Sequence, residues 1–253
     1  MEWVLPTLSI FLVANIVGFT SSYLILYTSL FEKFRIQKRP YPKGALWERL
    51  PLVAMNAGII VVSVTVGLSL FGWVFTKAEV SYWILIGQFL FILLVDDFYF
   101  YWWHRIMHEN KTLYKKVHKI HHRAYTPFPL DYLYVHPIEL IVGYGSIGLA
   151  VLLLYLMQGY ACIHSFWAYA IFRTVHELDA HSGIKSAVFT RVPLIAEAEH
   201  HDLHHAKPTL GNYATALKLW DKILKTEIVL GEKTSKKAKA ELSQQELQTE
   251  TNA

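Results

Sequence analysis

Five long runs of apolar residues alternate with short polar segments along this chain. The runs cover 4–31, 50–75, 80–103, 137–157 and 160–172. The first four meet the roughly 20 residues that an α-helix needs to cross a bilayer. The fifth is shorter, continues into a polar stretch, and is separated from the fourth only by Gln158 and Gly159, which predicts a tight helical hairpin. The pattern predicts an all-α membrane bundle with four to five hydrophobic segments.

Composition supports the membrane interpretation and excludes some other classes. Hydrophobic residues make up 53% of the 253 positions, and the apolar runs total nearly half the chain, which is too much for the buried helices of a soluble core. The single cysteine, Cys162, excludes an internal disulfide and a cysteine-rich zinc site.

The distribution of basic residues predicts the orientation in the membrane. The segment 32–49 contains six lysines and arginines, whereas 76–79 contains only Lys77. Positively charged loops stay on the cytoplasmic side, so the first loop is expected there, together with the end of the third run and everything after the hairpin. The net charge of +4 comes from residues that flank the apolar runs, which favours anionic lipid headgroups, and not nucleic acid, as the counter-charge.

Three clusters of histidine are the main candidates for chemistry. The chain has 13 histidines, and eight of them follow the patterns H-x3-H, H-x2-HH and H-x2-HH: His104, His108, His118, His121, His122, His201, His204 and His205. On an α-helix such steps bring side chains of one cluster to one face, about 5–6 Å apart. Imidazole is a common ligand of iron, zinc and copper. One His-x3-His pair is often accidental, but three clusters predict a two-metal site in a histidine-rich helical cap on the cytoplasmic side.

Other histidines are weaker candidates. His181 precedes Ser-Gly at an expected helix end and is a candidate ligand, and His176 lies five residues earlier, a poor spacing for one helix face. His136 begins the fourth run and could point inward. His200 lies about 100° around the helix from His201, and His164, within an apolar run, is expected to be structural.

A carboxylate in the third run shares a helix face with the first cluster. Asp97, Tyr101, His104 and His108 follow one another at steps of four, three and four. Asp97 could therefore hydrogen-bond the ring nitrogen of a metal ligand. The alternative is that Asp97 meets water at the membrane boundary.

The donor set favours iron and oxygen chemistry. A structural zinc ion prefers four ligands that usually include thiolates, whereas two irons with open coordination positions suit O2 activation. A site at the end of an apolar bundle suits oxidation of a lipid. A metal transporter is the alternative from another class, but its ligands would be expected near the midplane of the spans. A protein that holds metal without turnover also remains open.

The three motifs together resemble those of the fatty acid hydroxylase / sterol desaturase superfamily. The resemblance covers roughly 87–226 and is closest to C4-methylsterol oxidases, through the stretches 118–122, 126–128, 134–139, 180–183, 200–205, 211–213 and 220–223. Much of it is shared with sterol side-chain hydroxylases such as cholesterol 25-hydroxylases. Lys225 is a departure, because the family usually has glycine before the threonine that is Thr226 here.

The resemblance implies a non-haem di-iron centre. Its ligands would be His104, His108, His118, His121, His122, His181, His201, His204 and His205, with His176 or His136 completing the set. Asp97 and Glu139 are expected to support the ligands through hydrogen bonds.

The resemblance also implies a reaction and a cellular setting. O2 would be the oxidant, with electrons from NAD(P)H through cytochrome b5 or an equivalent, in the endoplasmic reticulum of a eukaryote or the inner membrane of a bacterium. The expected reaction is stepwise oxidation of a sterol C4-methyl group to the carboxylate, with a sterol or fatty-acyl hydroxylase or a sterol desaturase as the alternative. The expected domains are membrane anchor helices at 1–86, a hydroxylase-like catalytic domain at 87–226 and a polar tail at 227–253.

Overall fold

A computed structural model describes residues 2–228 of the chain and consists mainly of helices. The α-helices are α1 (Val4–Tyr27), α2 (Ala45–Phe71), α3 (Tyr82–Glu109), α4 (Lys111–Lys116), α5 (Pro137–Gln158), α6 (Ile163–Ala180), α7 (Ala198–Ala206) and α8 (Leu219–Leu224). Short 3-10 helices cover Glu32–Phe34, Gly72–Val74, His118–Arg123, Pro129–Leu133 and Phe189–Arg191, and two-residue strands cover Phe75–Thr76 (β1) and Ala161–Cys162 (β2). The predicted polar tail lies outside the described residues from 229 onward.

Four helices are long and apolar enough to cross a membrane. They are α1, α2 with its 3-10 extension to Val74, α3 and α5, and much of their apolar surface, such as Leu12 and Val62, faces outward. Bilayer lipid is the environment in which such a surface is stable. The chain is therefore a membrane protein, as predicted.

The fifth apolar run forms α6, which is not one of the four span-length helices. Helix α5 packs mainly against α3, and α6 packs against both α3 and α1, so the arms of the predicted hairpin make their main contacts with other helices. A parallel pair between β1 and β2 closes the turn, and the backbone N–H of Cys162 donates to Gln88 of α3 at 2.6 Å. Because His104 and His108 lie near the end of α3, the packing of this helix positions the first histidine cluster.

Polar groups on α2 anchor the segment between the second histidine cluster and α5. The amide of Asn56 donates to the carbonyls of Leu133 and Val135, both at 2.8 Å. Arg49 pairs with Asp131 at 2.5 Å, and both side chains are buried. Removing one partner of such a pair typically costs about 3–5 kcal/mol, so α2 is a firm attachment for this segment.

The polar loop between α1 and α2 lies against the histidine-bearing segments. The backbone N–H of Ile36 donates to the Gly183 carbonyl at 3.0 Å, and that of Lys185 donates to Phe34 at 2.9 Å. The side chain of Gln37 donates to Asp202 of α7 at 3.1 Å. The basic loop that predicted the membrane orientation therefore packs against the segments that carry the histidines.

Candidate metal centre

Five histidines from three segments form a first group around one point. His104 and His108 lie one turn apart at the end of α3, His118 and His122 lie in the 3-10 helix that follows α4, and His204 lies in α7. One ring nitrogen of each lies within 4.8 Å of those of the others. The shortest separations, between Nε2 of His118 and Nε2 of His108 and of His122, are both 2.9 Å.

A second group contains four histidines. These are His121, His181, His201 and His205. The Nε2 atom of His181 lies 3.3 Å from that of His121 and 3.0 Å from that of His201, and Nε2 of His201 lies 3.2 Å from that of His205.

Each H-x2-HH motif is divided between the two groups, which corrects the expectation that a cluster shares one face. His118 and His122 belong to the first group and His121 to the second, whereas in α7 only His204 belongs to the first. The two short helices lie between the groups and present histidines to both. The structure thus brings all nine of the principal predicted ligands together.

The close nitrogens cannot all be explained by hydrogen bonds among the rings. The Nε2 atoms of His104, His108 and His118 form a triangle with sides of 3.1, 3.3 and 2.9 Å. A neutral ring nitrogen either carries one proton or one lone pair, so at least one side of any such triangle joins two like groups. Separations near 3 Å are those of neighbouring nitrogens bound to one ion at about 2.1 Å. The donor set therefore fits a metal ion in each group.

Backbone carbonyls fix the orientation of two histidine rings of the first group. Nδ1 of His104 lies 2.7 Å from the Tyr213 carbonyl, and Nδ1 of His204 lies 2.7 Å from the Gly211 carbonyl. A carbonyl only accepts, so each Nδ1–H donates and each Nε2 keeps its lone pair for a ligand role. Nε2 of His204 is buried and has no hydrogen-bond partner within residues 2–228.

The two carboxylates expected near the ligands behave differently. Oε1 of Glu139 lies 2.9 Å from Nδ1 of His118, so it supports a ligand of the first group. Asp97 does not take the expected position beside a histidine ring. Its carboxylate accepts from the backbone N–H of Leu217 at 3.0 Å and from the indole of Trp220 at 2.7 Å, which ties α3 to α8.

Several histidines of the two groups lie outside the span-length helices. Burial favours the neutral form of their rings, which is the form that binds metal. Loss of hydration lowers the pKa of His121, His122, His201, His204 and His205 well below the usual 6.5, and neighbouring histidines add to the effect. Burial also lowers the pKa of His181 to about 4. These rings are therefore uncharged at neutral pH.

Four histidines lie outside both groups, and three of them, His136, His176 and His200, have polar contacts. Nε2 of His176 lies 2.7 Å from the Ala196 carbonyl, and His136 caps α5 by accepting from the Ile138 N–H at 3.1 Å. Nε2 of His200 lies 3.3 Å from the Asp221 carboxylate. Each of these three rings therefore contacts a backbone or carboxylate group and not the histidines of either group.

Gly211 lies in a tight turn after α7, and this turn positions the carbonyl next to His204. Gly211 has φ +142°, and a Cβ atom there would lie 1.9 Å from the Thr226 carbonyl oxygen. The N–H of Asn212 donates to that same oxygen at 2.8 Å, and Asp221 accepts from the backbone of Tyr213. Only glycine fits this close approach, and the approach places the Gly211 carbonyl against His204.

Two residues that the sequence reasoning missed line a narrow cavity beside the histidines. Arg173 and Glu177 of α6 line this cavity, as do histidines of both groups. The available signal was spacing, because Arg173, Glu177 and His181 follow at steps of four and thus share one helix face.

Comparison with known proteins places these residues in a wider group. A family model described as fatty acid hydroxylase matches 89–226. A methylsterol monooxygenase of Aspergillus fumigatus is 36% identical over 150 residues, which is 58% of this chain and 50% of that protein. A methylsterol monooxygenase of Rattus norvegicus is 29% identical over 218 residues, 81% of this chain and 71% of that protein.

A further relative carries a different activity in its name. A very-long-chain aldehyde decarbonylase of Oryza sativa subsp. indica is 30% identical over 237 residues, 89% of this chain and 87% of that protein. This chain spans only half the length of the Aspergillus relative. No solved structure matches the chain.

Proposed function

Because this chain belongs to the fatty acid hydroxylase family, we propose that it is a membrane-bound non-haem di-iron oxygenase that oxidises a sterol or a related lipid with O2. At the coarser level it is a membrane oxidoreductase with histidine groups that can hold metal. More specifically, we propose that it oxidises the C4-methyl group of a sterol, as the resemblance to C4-methylsterol oxidases implies. Two of its relatives are named methylsterol monooxygenases.

One observation carries the proposal: two groups of five and four histidines, each with ring nitrogens within 4.8 Å of one another. Nine imidazoles and no thiolate suit two irons better than structural zinc. Bound iron would supply O2 activation and the oxidation of a C–H bond. The protein's own residues hold the ligand rings in place, through Glu139 and the carbonyls beneath His104 and His204.

The location of the groups supports a lipid substrate. His104 and His108 lie on the last turns of α3, a helix long and apolar enough to span the bilayer. A substrate dissolved in the membrane can therefore reach the histidines without crossing water. The cavity beside the groups is also lined by α5 residues such as Leu140 and Gly143.

The remaining parts of the proposal rest on the family resemblance and on the distribution of charge. Electrons would come from NAD(P)H through cytochrome b5 or an equivalent carrier. The basic loop between α1 and α2 packs against the histidine segments, and by the positive-inside rule it lies in the cytoplasm. The proposed location is the endoplasmic reticulum membrane in a eukaryote or the inner membrane in a bacterium, with the histidines facing the cytoplasm.

The aldehyde decarbonylases are a specific second candidate, because the alignment with the rice protein covers 87% of its length. Both candidates predict the same histidine groups and differ in the lipid. A product assay must therefore offer both a 4-methylsterol and a very-long-chain aldehyde.

The first test is the iron content of protein purified from iron-replete cells, followed by the product assay. We expect about two irons per chain and a product from the methylsterol that requires O2. His205→Ala should lose iron and product, whereas His164→Ala, a change outside both groups, should retain them. A chain that binds no iron even after anaerobic loading would contradict the proposal, and product from the aldehyde alone would favour the second candidate.

A further inference from the structure

The cavity beside the histidines has a polar wall that metal binding does not require. His104, His118, His121, His181 and His201 line one side of it, and Tyr144, Arg173 and Glu177 also line it. Tyr132 lines it too, but its hydroxyl already donates to Asn15 at 2.9 Å. A lipid that presented only hydrocarbon to this cavity would leave buried polar groups without partners, which costs free energy. The polar wall therefore calls for a polar group on the substrate.

Arg173 is held in a fixed orientation at this wall. Its Nε donates to Asp96 at 2.9 Å, and Asp96 also accepts from the hydroxyls of Tyr169 and Ser146. The guanidinium carbon lies 4.3 Å from the centre of the Tyr144 ring. A guanidinium has five N–H donors, so the bond to Asp96 leaves donors for a ligand in the cavity.

Glu177 lies one helical turn further along α6 and adds an acceptor. Its side chain is largely buried, at 12% exposure, and one carboxylate oxygen lies 3.5 Å from Nδ1 of His181. The backbone carbonyl of Glu177 accepts from the same nitrogen at 2.9 Å. Arg173, Glu177 and His181 thus form a series on one face of α6, from a cation to an anion to a member of the second histidine group.

This series distinguishes among substituents that a lipid could offer. A carboxylate would accept from Arg173 but would meet the carboxyl groups of Glu177 and Glu139, which also line the cavity and offer it no cation. A hydroxyl both accepts and donates, and it therefore matches an arginine and a glutamate together. Successive turns of a helix are about 5.4 Å apart, so a hydroxyl at Glu177 lies only a few bonds from a carbon placed beside His181.

We propose that Arg173 and Glu177 bind a hydroxyl group of the lipid and so select substrates with a hydroxyl close to the carbon that is oxidised. The proposal rests on the proposed function, because it names the substrate class of the same site. It favours a hydroxylated ring lipid, such as a sterol whose 3-hydroxyl adjoins C4, over an unsubstituted acyl chain. Arg173 and Glu177 are positioning residues in this scheme.

The test compares a 4-methylsterol that has a free 3-hydroxyl with its 3-O-methyl ether. Equilibrium binding of each compound to the full-length protein in lipid nanodiscs gives one measurement, and KM and kcat give a second. We expect the wild-type protein to bind the free alcohol at least about tenfold more tightly, because a buried polar site left unpaired strongly disfavours the analogue. Glu177→Leu should remove this preference by weakening alcohol binding, with KM rising more than kcat falls.

Two further variants protect the test against misfolding. Arg173→Leu leaves Asp96 without its cation and can fail to fold, so Glu177→Gln serves as the second variant, since its amide retains an acceptor and should restore part of the preference. Glu32→Leu, an exposed glutamate of the α1–α2 loop, is the matched control and should bind both sterols as the wild type does.

The outcomes separate this proposal from the proposed function. Equal binding of the alcohol and the ether by the wild type would overturn it, and so would a Glu177→Leu variant that keeps the full preference. The protein could oxidise neither sterol and still bind the alcohol more tightly than the ether, with a preference that Glu177→Leu removes. That result would support the hydroxyl site and contradict the sterol oxygenase proposal. Oxidation of both sterols at equal efficiency would leave the oxygenase and remove the hydroxyl site.

Discussion

The carboxylate of Glu139, on the first turn of α5, lies 2.9 Å from Nδ1 of His118 in the first histidine group. The other carboxylate oxygen, Oε2, is buried and has no hydrogen-bond partner in the described part of the chain. The contact joins a helix of span length directly to a ring of the first histidine group. It sets which nitrogen of His118 carries the proton and directs Nε2 toward the group.

Replacement of Glu139 should weaken metal binding without removing a ligand. Glu139→Leu is expected to lower iron affinity by about 10–100-fold, since partners of ligating histidines typically contribute this much. Glu139→Gln should lose less, because its amide oxygen can still accept from Nδ1. Iron affinity measured by competition with a chelator checks both, with the exposed Glu48→Leu as the control. Equal losses in the Leu and Gln variants would mean that the hydrogen bond is not the cause.

Two glutamine substitutions should separate ligands from neighbouring histidines. His205→Gln removes a member of the second group and should reduce bound iron from about two ions per chain to about one. His176→Gln should keep both ions, because the glutamine amide can replace the bond to the Ala196 carbonyl. Elemental mass spectrometry of the purified variants measures the difference. A loss of one iron in His176→Gln would make that residue a ligand.

The turn at Gly211 should tolerate no larger residue. Gly211→Ala places a methyl group 1.9 Å from the Thr226 carbonyl oxygen, and we expect a loss of at least about 2 kcal/mol in the free energy of unfolding. Iron content should fall with it, because the Gly211 carbonyl orients His204. Gly145→Ala, in α5 with open space around it, is the matched control and should stabilise the helix by about 0.5–1 kcal/mol. Thermal unfolding compares the two, and similar effects would refute the steric explanation.

Lys225 occupies a backbone conformation that favours glycine. It ends α8 with φ +55°, at the position where the resembling family usually has glycine. Lys225→Gly should release about 1 kcal/mol of backbone strain, offset by about 0.5 kcal/mol from the greater freedom of the unfolded chain. The expected result is a small rise in the melting temperature with unchanged iron content. Destabilisation would show that the lysine side chain makes contacts that outweigh the strain.

The spanning helices could be predicted because their signal is local. An apolar run of bilayer length forms a helix whatever its neighbours are, since lipid cannot satisfy an open backbone. The histidine spacing likewise predicted a two-metal site from residue type and separation alone. By contrast, the arms of the hairpin make their main contacts with other helices, and Gln88 and the strands β1 and β2 hold the turn, through contacts between distant segments that no periodicity reveals.

The assignment of histidines to each group also depended on tertiary structure. The division is the same in the 3-10 helix His118–Arg123 and in the α-helix α7. In both motifs the histidines four residues apart share a group, and the histidine between them joins the other group. Asp97 had the right spacing but found partners in Leu217 and Trp220, more than 100 residues away in sequence. The series from Arg173 to His181 was visible in the sequence, but its meaning depends on the cavity that distant residues complete.

A metal ion held by the first histidine group would also link distant parts of the chain. An ion bound by His104 and His204 joins positions 100 residues apart, and a permanent cross-link over a loop of that length removes about 4.7 kcal/mol of chain entropy from the unfolded state. The chain has one cysteine and no disulfide to serve this purpose. Because His204 follows all four span-length helices of residues 2–228, such a cross-link could close only after all four had been synthesised. Metal binding in the first group would therefore come after the synthesis of all four of these helices, and a protein without metal would lack this link between α3 and α7.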